Sequence, residues 1–331
     1  MPISHATSRG GSDHMDAPPG RPRGRVPKRV LATGLTGFAG RHLASALAGI
    51  LPDAELMPLG CDITDQPAVE ARVKSLQPDV CIHLAAIAAI GVASHDPARA
   101  WQVNLHGTLG LAAALSTYAP GAVLIHVSSA DAYGASFASG LALDEAAVLA
   151  PINVYGATKA AADLALGALP DPGIKGGLHV IRLRSFNHAG PGQSADFALP
   201  AFARQVALIA AGRQPPVLRT GNLDTERDFL DVRDVAQAYA LAIARAHALP
   251  NRTILNVASG TPRRIATVLS DLISLADVQV TIEPDPARMR PSDIPRAFGN
   301  AARAQSLLGW APGIAWQQTL GDVLEDWKHR I

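Results

Sequence analysis

The stretch RVLATGLTGFAGRHLASALAGI, residues 29–50, decides the fold class of this chain. It opens with apolar and β-branched residues, turns at Gly34, Gly37 and Gly40, and continues with apolar residues at helical spacing. This order predicts a strand, a glycine turn and a helix. A turn without Cβ atoms can approach a pyrophosphate, and the N–H groups and dipole of the helix N-terminus attract its charge. The stretch therefore predicts a dinucleotide-binding loop.

The same alternation continues over the first half of the chain. Apolar runs at 79–86, 122–129 and 178–186 predict strands, and helical patterns at 98–119 and 151–166 separate them. Strands that alternate with helices of this length predict a parallel sheet wrapped on both faces. Uninterrupted apolar runs fit strands that are buried on both sides. The predicted fold class is α/β, a Rossmann-type doubly wound parallel sheet.

The second half of the chain has a different texture, with Pro- and Gly-rich segments between shorter helices. We expect residues 28–186 to form the coenzyme-binding domain and residues 187–331 to form a smaller C-terminal lobe. Two strand-like pieces, RDFLDV (227–232) and TILNVAS (253–259), are expected to return to the main sheet. The predicted lobe is therefore discontinuous, with a return to the main domain at about 227–258.

Charge and hydropathy limit the kinds of partner. The 29 Lys and Arg residues nearly cancel the 28 Asp and Glu residues, and a net charge of +1 gives no general field for nucleic acid or a membrane surface. The longest apolar stretch, residues 84–93, has about half the length of a membrane span. Residues 1–27 lack apolar periodicity and a secretory h-region, which predicts a disordered leader. We expect a soluble, cytoplasmic protein with a small-molecule ligand.

The two cysteines, Cys61 and Cys81, form no C-x-x-C pair. This spacing favours neither a disulfide framework nor a metal site, so we expect buried, reduced thiols and no metal.

A catalytic group is predicted from the segment PINVYGATKAAADLAL, residues 151–166. Tyr155 and Lys159 are four residues apart on one helix, so their side chains lie on the same face. Ser129 ends a predicted strand, at the sheet edge where open α/β sheets bind ligands. We expect the Lys159 charge to favour the phenolate and Lys159 to hold the nicotinamide ribose. Tyr155 would then act as general acid for a carbonyl whose oxygen Ser129 polarises.

The choice of coenzyme rests on an absent carboxylate. NAD is usually selected by an acid about 20 residues after the glycine loop, which binds the ribose 2′-hydroxyl. Here the second strand ends at Gly60 and Cys61, and the next acid, Asp62, is expected at the adenine edge. Arg41 follows the last glycine and can pair with a 2′-phosphate. The sequence therefore favours NADP(H), with NAD(H) as the alternative.

Seven motifs carry a family resemblance: TGLTGFAG, CDITD, HLAA, NLHGT, VSSADAYG, YGATK and RDFLDVRDVA. From about Val30 to the C-terminus the chain resembles the extended short-chain dehydrogenase/reductase family, of the NAD-dependent epimerase/dehydratase type. The resemblance implies a Rossmann domain, a nucleotide-sugar-binding lobe and a homodimer formed through helices next to the active site. It assigns a catalytic role to Ser129, Tyr155 and Lys159 and a structural one to Asn104. The residues expected to bind the coenzyme are Gly34, Gly37, Phe38, Ala39, Gly40, Arg41, Asp62, Ile63, Leu84, Ala85, Ala86, Tyr155 and Lys159.

The lobe resembles the branch of the family that acts on GDP-mannose derivatives, through RSFNHAGPGQ, GNLDTERDF and RMRPSDIP. This resemblance implies a reductase that passes hydride to C4 of a GDP-4-keto-6-deoxy-hexose and gives GDP-6-deoxy-D-mannose (GDP-D-rhamnose), a precursor for bacterial polysaccharide. It implies that Asn187 contacts the diphosphate or sugar and that the guanidinium groups of Arg227 and Arg290 bind the diphosphate. The full set of residues expected at the GDP-sugar is Ser129, Asn187, Arg227, Arg290, Ser292 and Asp293.

Three alternatives remain open at this point, and a fourth is disfavoured by the sequence. A GDP-4-keto-6-deoxy-heptose would offer the same nucleotide and carbonyl to a reductase or an epimerase. A GDP-mannose 4,6-dehydratase would use, in this family, an Asp–Glu pair directly after the Ser or Thr, where this chain has Ala130 and Asp131. A 4-epimerase of the UDP-galactose type does not fit the GDP-hexose motifs. A non-catalytic coenzyme sensor would need the glycine loop but not the Ser–Tyr–Lys group.

Overall fold

The chain was analysed as a computed structural model, which describes residues 25–289 and 294–331. Its β-strands are β1 (Arg29–Thr33), β2 (Glu55–Pro58), β3 (Val80–His83), β4 (Val123–Ser129), β5 (His179–Ser185), β6 (Asn187–Ala189), β7 (Val217–Thr220), β8 (Glu226–Asp231), β9 (Thr253–Val257), β10 (Pro262–Arg264), β11 (Thr281–Pro284) and β12 (Arg296–Ala297). Its α-helices are α1 (Phe38–Ile50), α2 (Gln66–Leu76), α3 (Ile90–His95), α4 (Pro97–Trp101), α5 (Thr108–Tyr118), α6 (Val154–Gly167), α7 (Ala198–Ala210), α8 (Val232–Ala244), α9 (Ile265–Ala276), α10 (Ala302–Leu308) and α11 (Trp316–Arg330).

The main sheet has six parallel strands in the order β2-β1-β3-β4-β5-β9. This arrangement confirms the predicted α/β fold with a parallel sheet. The chain order reverses at β1, which has β2 on one side and β3 on the other. In open sheets of this kind the crevice at such a reversal, outside the carboxyl ends of the strands, binds ligands.

Both faces of the sheet are covered, as the apolar runs predict. Successive residues of β1 point to opposite sides: Val30 packs in one buried cluster with Leu43 of α1, and Leu31 packs in another with Val73 of α2 and Leu115 of α5. Each fully buried aliphatic side chain of this kind contributes about 1.5–3 kcal/mol relative to an exposed one. These two layers fix the strand ends that carry the site.

One of the two predicted strand returns is wrong. Thr253–Val257 (β9) completes the main sheet, but β8 lies in a second sheet of order β10-β8-β12, with β6 on its other side. The reason lies in its charges, because the buried Asp228 of β8 accepts hydrogen bonds from the N–H groups of Ser259, Gly260 and Gly299. A carboxylate satisfied in this way does not fit among apolar strands. The division of the chain into two domains stays a prediction.

The predicted leader lies mostly outside the described residues, which begin at Arg25. Arg25 itself forms an ion pair with Asp79, at the amino end of β3. Asp79 also accepts hydrogen bonds from the N–H groups of Lys28 and Arg29. The ordered fold therefore includes residues 25–27, which the sequence assigned to the leader.

The predicted helix over 98–119 has three parts. α4 and α5 are joined by a π-helical segment, Gln102–Gly107. Wide turns of this type are often found at functional sites. Here the segment carries the buried Asn104, whose amide accepts from the Ile87 N–H at 2.8 Å and donates to the Thr158 hydroxyl at 2.9 Å. Asn104 thus joins the segment after β3 to α6.

Two further expectations concern thiols and membranes. Cys81 is buried and Cys61 is only partly buried, because Cys61 lies beyond the end of β2; both are free thiols. Within the described part of the chain, no helix combines the length and apolar character that crossing a bilayer requires.

Candidate active site

The glycine loop has a geometry that only glycine permits. Gly34 has φ of +72°, and a Cβ built on it would lie 2.7 Å from the backbone nitrogen of Ala85. A Cβ on Gly40 would lie 2.3 Å from the carbonyl oxygen of Gly34. α1 begins directly after Gly37, and no side chain caps its N-terminus. The loop therefore presents its backbone and the helix dipole to an anionic group, which fits a dinucleotide pyrophosphate.

A row of buried side chains, joined by hydrogen bonds, lies next to this loop. The Thr108 hydroxyl donates to the carbonyl of Asn104 at 2.7 Å, so it accepts from Nε2 of His83 at 2.9 Å. His83 Nδ1 then accepts from the Thr33 hydroxyl at 2.7 Å. Burial, with a smaller effect of the Lys159 charge, lowers the pKa of His83 to about 3. The imidazole is neutral and works as a fixed hydrogen-bond bridge between β1, β3 and α5.

The same network sets the position of the segment after β3. The Thr33 hydroxyl oxygen accepts from the N–H groups of Leu84 at 3.1 Å and Ala85 at 3.0 Å. Because Ala85 also lies against Gly34, two of the predicted coenzyme-binding segments meet at the reversal point of the sheet.

An arginine of α2 lies against the end of β2, and the sequence analysis did not predict it there. Arg72 of α2 donates to the carbonyl oxygens of Leu59 at 2.8 Å and Pro58 at 3.3 Å. The predicted Arg41 lies in the first turn of α1 and donates to the carbonyl of Thr36 at 3.0 Å. No local sequence signal marks Arg72, since its position depends on how α2 packs beside β2.

Asp62, predicted at the adenine edge, is ionised and already paired in this structure. It accepts from the Thr64 N–H and forms a 3.0 Å ion pair with Arg99. The Thr64 hydrogen bonds and then Arg99 lower the pKa of this exposed carboxyl. Ile63 packs against Gly107 of the π-helical segment.

The structure brings the three predicted catalytic residues to the carboxyl end of β4. Ser129 is the last residue of that strand, and its side chain acts on the pKa of the nearby Tyr155, which it lowers. Tyr155 lies in the first turn of α6, which Asn153 caps by accepting from the Gly156 N–H at 2.8 Å. Lys159 donates to the carbonyl of Val127 at 2.7 Å. The roles of these three side chains stay a prediction.

The expected effect of Lys159 on Tyr155 is wrong for this structure. Burial raises the pKa of Tyr155, the negative charge of Asp131 raises it further, and the side chain of Ser129 opposes both. Burial also lowers the pKa of Lys159 to about 8, although the charge of Asp163 raises it. The phenol is therefore protonated at neutral pH, the form that a general acid requires.

The carboxylate below Lys159 forms a fully buried ion cluster. Asp163 accepts from Arg182 at 3.0 Å and from Arg184 at 2.9 and 3.0 Å, and all three side chains are buried. The sequence analysis missed this cluster, but a signal exists: Asp163 is four residues after Lys159, and two arginines alternate on a buried strand. The cluster locks α6, and with it Tyr155 and Lys159, onto β5.

Asp131 is a further residue of the site that the sequence analysis did not place there. Its carboxylate Oδ2 accepts from the Ser129 hydroxyl at 3.3 Å, and its backbone N–H donates back to the same hydroxyl oxygen at 3.1 Å. Asp131 as a whole residue is half-exposed. The position directly after Ser129 is Ala130, so the site has one carboxylate here rather than two.

The lobe contributes two of the predicted substrate residues. Asn187 opens the three-residue β6 and is exposed. Arg227 of β8 donates to the carbonyl oxygens of Glu226 at 2.9 Å and Ile294 at 2.7 Å. The predicted Arg290, Ser292 and Asp293 lie outside the described residues.

An aromatic stack joins the lobe to the glycine loop. The imidazole of His188, next to Asn187, stacks on the ring of Phe38 with centroids 5.8 Å apart and planes 6° apart. His42 meets the same ring edge-on at 5.7 Å and contacts the carbonyl of Pro191 at 3.1 Å. The first turn of α1 and the start of the lobe are thus in direct contact.

Comparison of the chain with known proteins shows the family to which it belongs. The model of the family described as GDP-mannose 4,6 dehydratase matches residues 51–323. The GDP-6-deoxy-D-mannose reductase of Pseudomonas aeruginosa is 36% identical over 308 residues, which cover 92% of this chain and 99% of the relative. The chain belongs to the GDP-mannose 4,6-dehydratase family. Its predicted membership of the extended short-chain dehydrogenases/reductases is confirmed by these matches.

Solved structures of similar proteins have the same fold. The structure of RMD from Pseudomonas aeruginosa complexed with NADPH matches with a TM-score of 0.82 and 34% identity, over 92% of this chain and 100% of that one. The UDP-glucose 4-epimerase of Thermus thermophilus, in complex with NAD, matches with a TM-score of 0.78 and 26% identity, over 92% and 100% of the two chains.

Proposed function

We propose that the protein is a 4-keto reductase of a GDP-4-keto-6-deoxy-hexose that uses NADP(H) and forms GDP-6-deoxy-D-mannose (GDP-D-rhamnose). The observation that carries the proposal is that Ser129, Tyr155 and Lys159 lie buried together where α6 meets the carboxyl end of β4. A relative of 36% identity that is named GDP-6-deoxy-D-mannose reductase supports the substrate.

The residues present fit a nicotinamide dinucleotide. Gly34 and Gly40 leave a cradle that a Cβ would fill, and the N-terminus of α1 faces it. Two related structures hold NADPH and NAD, which supports the same class of coenzyme. When bound, this coenzyme supplies the hydride that reduces C4. Arg41 and Arg72 lie near the ends of the glycine loop and β2, so their charge favours a 2′-phosphate and hence NADP(H).

The side chains of the chain itself handle the oxygen and its proton. Tyr155 donates its phenolic proton to the carbonyl oxygen, and Ser129 donates a hydrogen bond to the same oxygen. Lys159 uses one of its three N–H groups on Val127, which leaves two for a ribose. Asn187 and Arg227 hold the diphosphate end of the substrate.

The carboxylate count favours reduction over dehydration. Loss of water across C5 and C6 needs an acid for the leaving hydroxyl as well as a base for the C5 proton. The strand end that carries Ser129 offers Asp131 alone, since Ala130 is apolar and buried. A reduction needs neither group, because Tyr155 supplies the one proton that the product gains.

The finer features belong to the same proposal. We place the protein in the cytoplasm and expect a homodimer through helices next to the active site. Leu164 on α6 is 60% exposed, which supports a contact along this helix.

A coupled assay tests the proposed function. GDP-4-keto-6-deoxy-mannose is generated in situ, the protein is added with NADPH or NADH, and the loss of coenzyme absorbance is followed while NMR identifies the sugar. We expect coenzyme oxidation, faster with NADPH, together with GDP-D-rhamnose. Coenzyme oxidation without formation of GDP-D-rhamnose would mean that the substrate is a different sugar, such as the heptose. No oxidation with either coenzyme would contradict the proposal.

A further inference from the structure

The longest apolar stretch of the chain, LAAIAAIGVA at residues 84–93, follows the carboxyl end of β3. Its beginning lies at the glycine loop, because a Cβ on Gly34 would be 2.7 Å from the backbone nitrogen of Ala85. Further along, Ile87 packs against the buried cluster that contains Tyr155. The stretch therefore runs from the coenzyme loop to the proposed general acid, along the cleft where the nicotinamide and C4 of the substrate would meet.

The part of this stretch that reaches the tyrosine, residues 84–90, is called the apolar wall below. Its sequence LAAIAAI contains only Leu, Ile and Ala, so no side chain of the wall can form a hydrogen bond. The wall is nevertheless accessible, because its residues are half-buried and Ala88 is exposed. Ligand pockets are lined mostly by apolar side chains of this kind, with few polar groups.

Much of the backbone of the wall is engaged within the protein. The N–H group of Ala85 donates to the Thr33 hydroxyl at 3.0 Å. The buried Asn104 occupies both polar backbone groups of Ile87, since it accepts from the N–H at 2.8 Å and donates to the carbonyl oxygen at 3.1 Å. The carbonyl of Ala89 accepts from a backbone N–H of α3 at 3.0 Å. A sugar hydroxyl placed against the wall would therefore lose its bonds to water and gain few in return.

The polar groups of the site come from other elements. Ser129 and Asp131 lie at and just after the carboxyl end of β4, and Asn187 and Arg227 belong to the lobe. These groups offer partners for the C2 and C3 hydroxyls of a GDP-sugar. The neighbour of C4 on the opposite side of the ring is C5, which carries a methyl group in a 6-deoxy-hexose. An apolar surface beside C4 fits this edge of the sugar.

We propose that the apolar wall selects 6-deoxy-hexoses by packing on their C6 methyl group, an inference that rests on the proposed function. A hydroxyl at C6 would be buried against Ile and Ala side chains without a partner, which is unfavourable. The C7 hydroxyl of a 6-deoxy-heptose meets the same wall, so the wall favours the hexose over the heptose. Residues 84–90 thus determine specificity through the absence of hydrogen-bonding groups.

A matched pair of nucleotide-sugars tests the wall in the direction of oxidation. GDP-D-rhamnose and GDP-D-mannose differ only in the oxygen at C6, and in both the hydride leaves C4 for NADP⁺ while the C4 hydroxyl gives its proton to Tyr155. We expect kcat/KM to be about 10- to 100-fold higher for GDP-D-rhamnose. Equal values would overturn the wall and leave the reductase intact. If neither sugar is oxidised, the reductase is contradicted, and calorimetric titration with the same pair still decides whether the site prefers the 6-deoxy sugar.

Two substitutions place a hydroxyl on the wall itself. Ala88→Ser or Ala89→Ser should lower the preference for GDP-D-rhamnose at least about threefold, because the new hydroxyl can bond to the C6 oxygen of GDP-D-mannose. Ala48→Ser, on the exposed last turn of α1, is the matched control and should keep the wild-type ratio. An unchanged ratio in both wall variants would place the discrimination elsewhere and overturn the proposal.

Discussion

The catalytic edge of the main sheet and the lobe that faces it are built in different ways. Tyr155 and Lys159 are buried at the end of β4. Lys159 donates to a backbone carbonyl of β4, and the buried ion cluster holds the helix that carries both residues. In the lobe, Asn187 is exposed on a short strand, and Arg227 reaches the backbone of Ile294. If the proposed function holds, the chemistry is part of the core, whereas substrate recognition depends on groups near the surface. Changes in the core should affect turnover or stability, and changes in the lobe should affect KM.

The largest expected effect is on turnover. Tyr155→Phe removes the proton donor but keeps the ring that packs against Ala93 and Ala100. We expect kcat to fall by about 10²- to 10⁴-fold with coenzyme affinity and KM nearly unchanged. Steady-state kinetics and coenzyme titration measure both quantities, and near-normal turnover would remove Tyr155 from the acid role.

The ion cluster beneath the catalytic helix should affect stability. Asp163→Asn leaves Arg182 and Arg184 buried without a counter-charge, which should cost about 3–5 kcal/mol in the free energy of unfolding. Urea denaturation measures this loss. Asp171→Asn is the matched control, because Asp171 pairs with Arg252 at the surface, where such pairs contribute about 0–1 kcal/mol. Equal losses in the two variants would mean that burial of the cluster does not matter.

Two glycine substitutions distinguish an effect on coenzyme binding from an effect on stability. Gly34→Ala places a Cβ 2.7 Å from the nitrogen of Ala85 at a positive φ, so the loop must shift. We expect coenzyme affinity to fall by at least about 10-fold, as measured by fluorescence or calorimetric titration. Gly49→Ala in the same region meets no atom within 4 Å and should leave affinity unchanged, with a gain in stability of up to about 1 kcal/mol. Unchanged affinity in Gly34→Ala would contradict the pyrophosphate assignment.

The smallest effect is expected in the lobe. Arg227→Lys keeps the positive charge but loses the two-pronged geometry that suits a diphosphate. We expect KM for the GDP-sugar to rise by about 10-fold with kcat within a factor of about two. Arg303→Lys, an exposed change on α10, is the control. A fall in kcat without a change in KM would place Arg227 in the chemistry and remove the contrast between the two regions.

The sequence predicted the positions of residues that lie on a regular element or directly beside one, whereas their roles stay predictions. Gly34, Ser129 and the spacing from Tyr155 to Lys159 follow from strand ends and helical periodicity, which are local properties. The hydrogen bonds of Asp131 with Ser129, and the effect of its charge on the pKa of Tyr155, depend on how a short turn folds back over the strand end, and no periodicity encodes them.

Two further failures share one physical cause. The strand-like sequence RDFLDV predicts a return of β8 to the main sheet, but its buried Asp228 is satisfied by backbone N–H groups of the lobe. The spacing of Tyr155 and Lys159 predicts a lowered pKa for the phenol, but burial is the largest effect on this pKa and raises it. Burial is a property of the assembled chain, so spacing alone does not reveal it.

The most direct test of the central claim follows the hydride itself. The wild-type protein is incubated with GDP-4-keto-6-deoxy-mannose and NADPH deuterated at C4 of the nicotinamide, in separate experiments for each face of the ring. We expect one of the two labels to appear at C4 of the GDP-sugar, as shown by mass spectrometry and NMR, and the other to stay with the coenzyme. A GDP-sugar that carries no deuterium in either experiment would contradict the account.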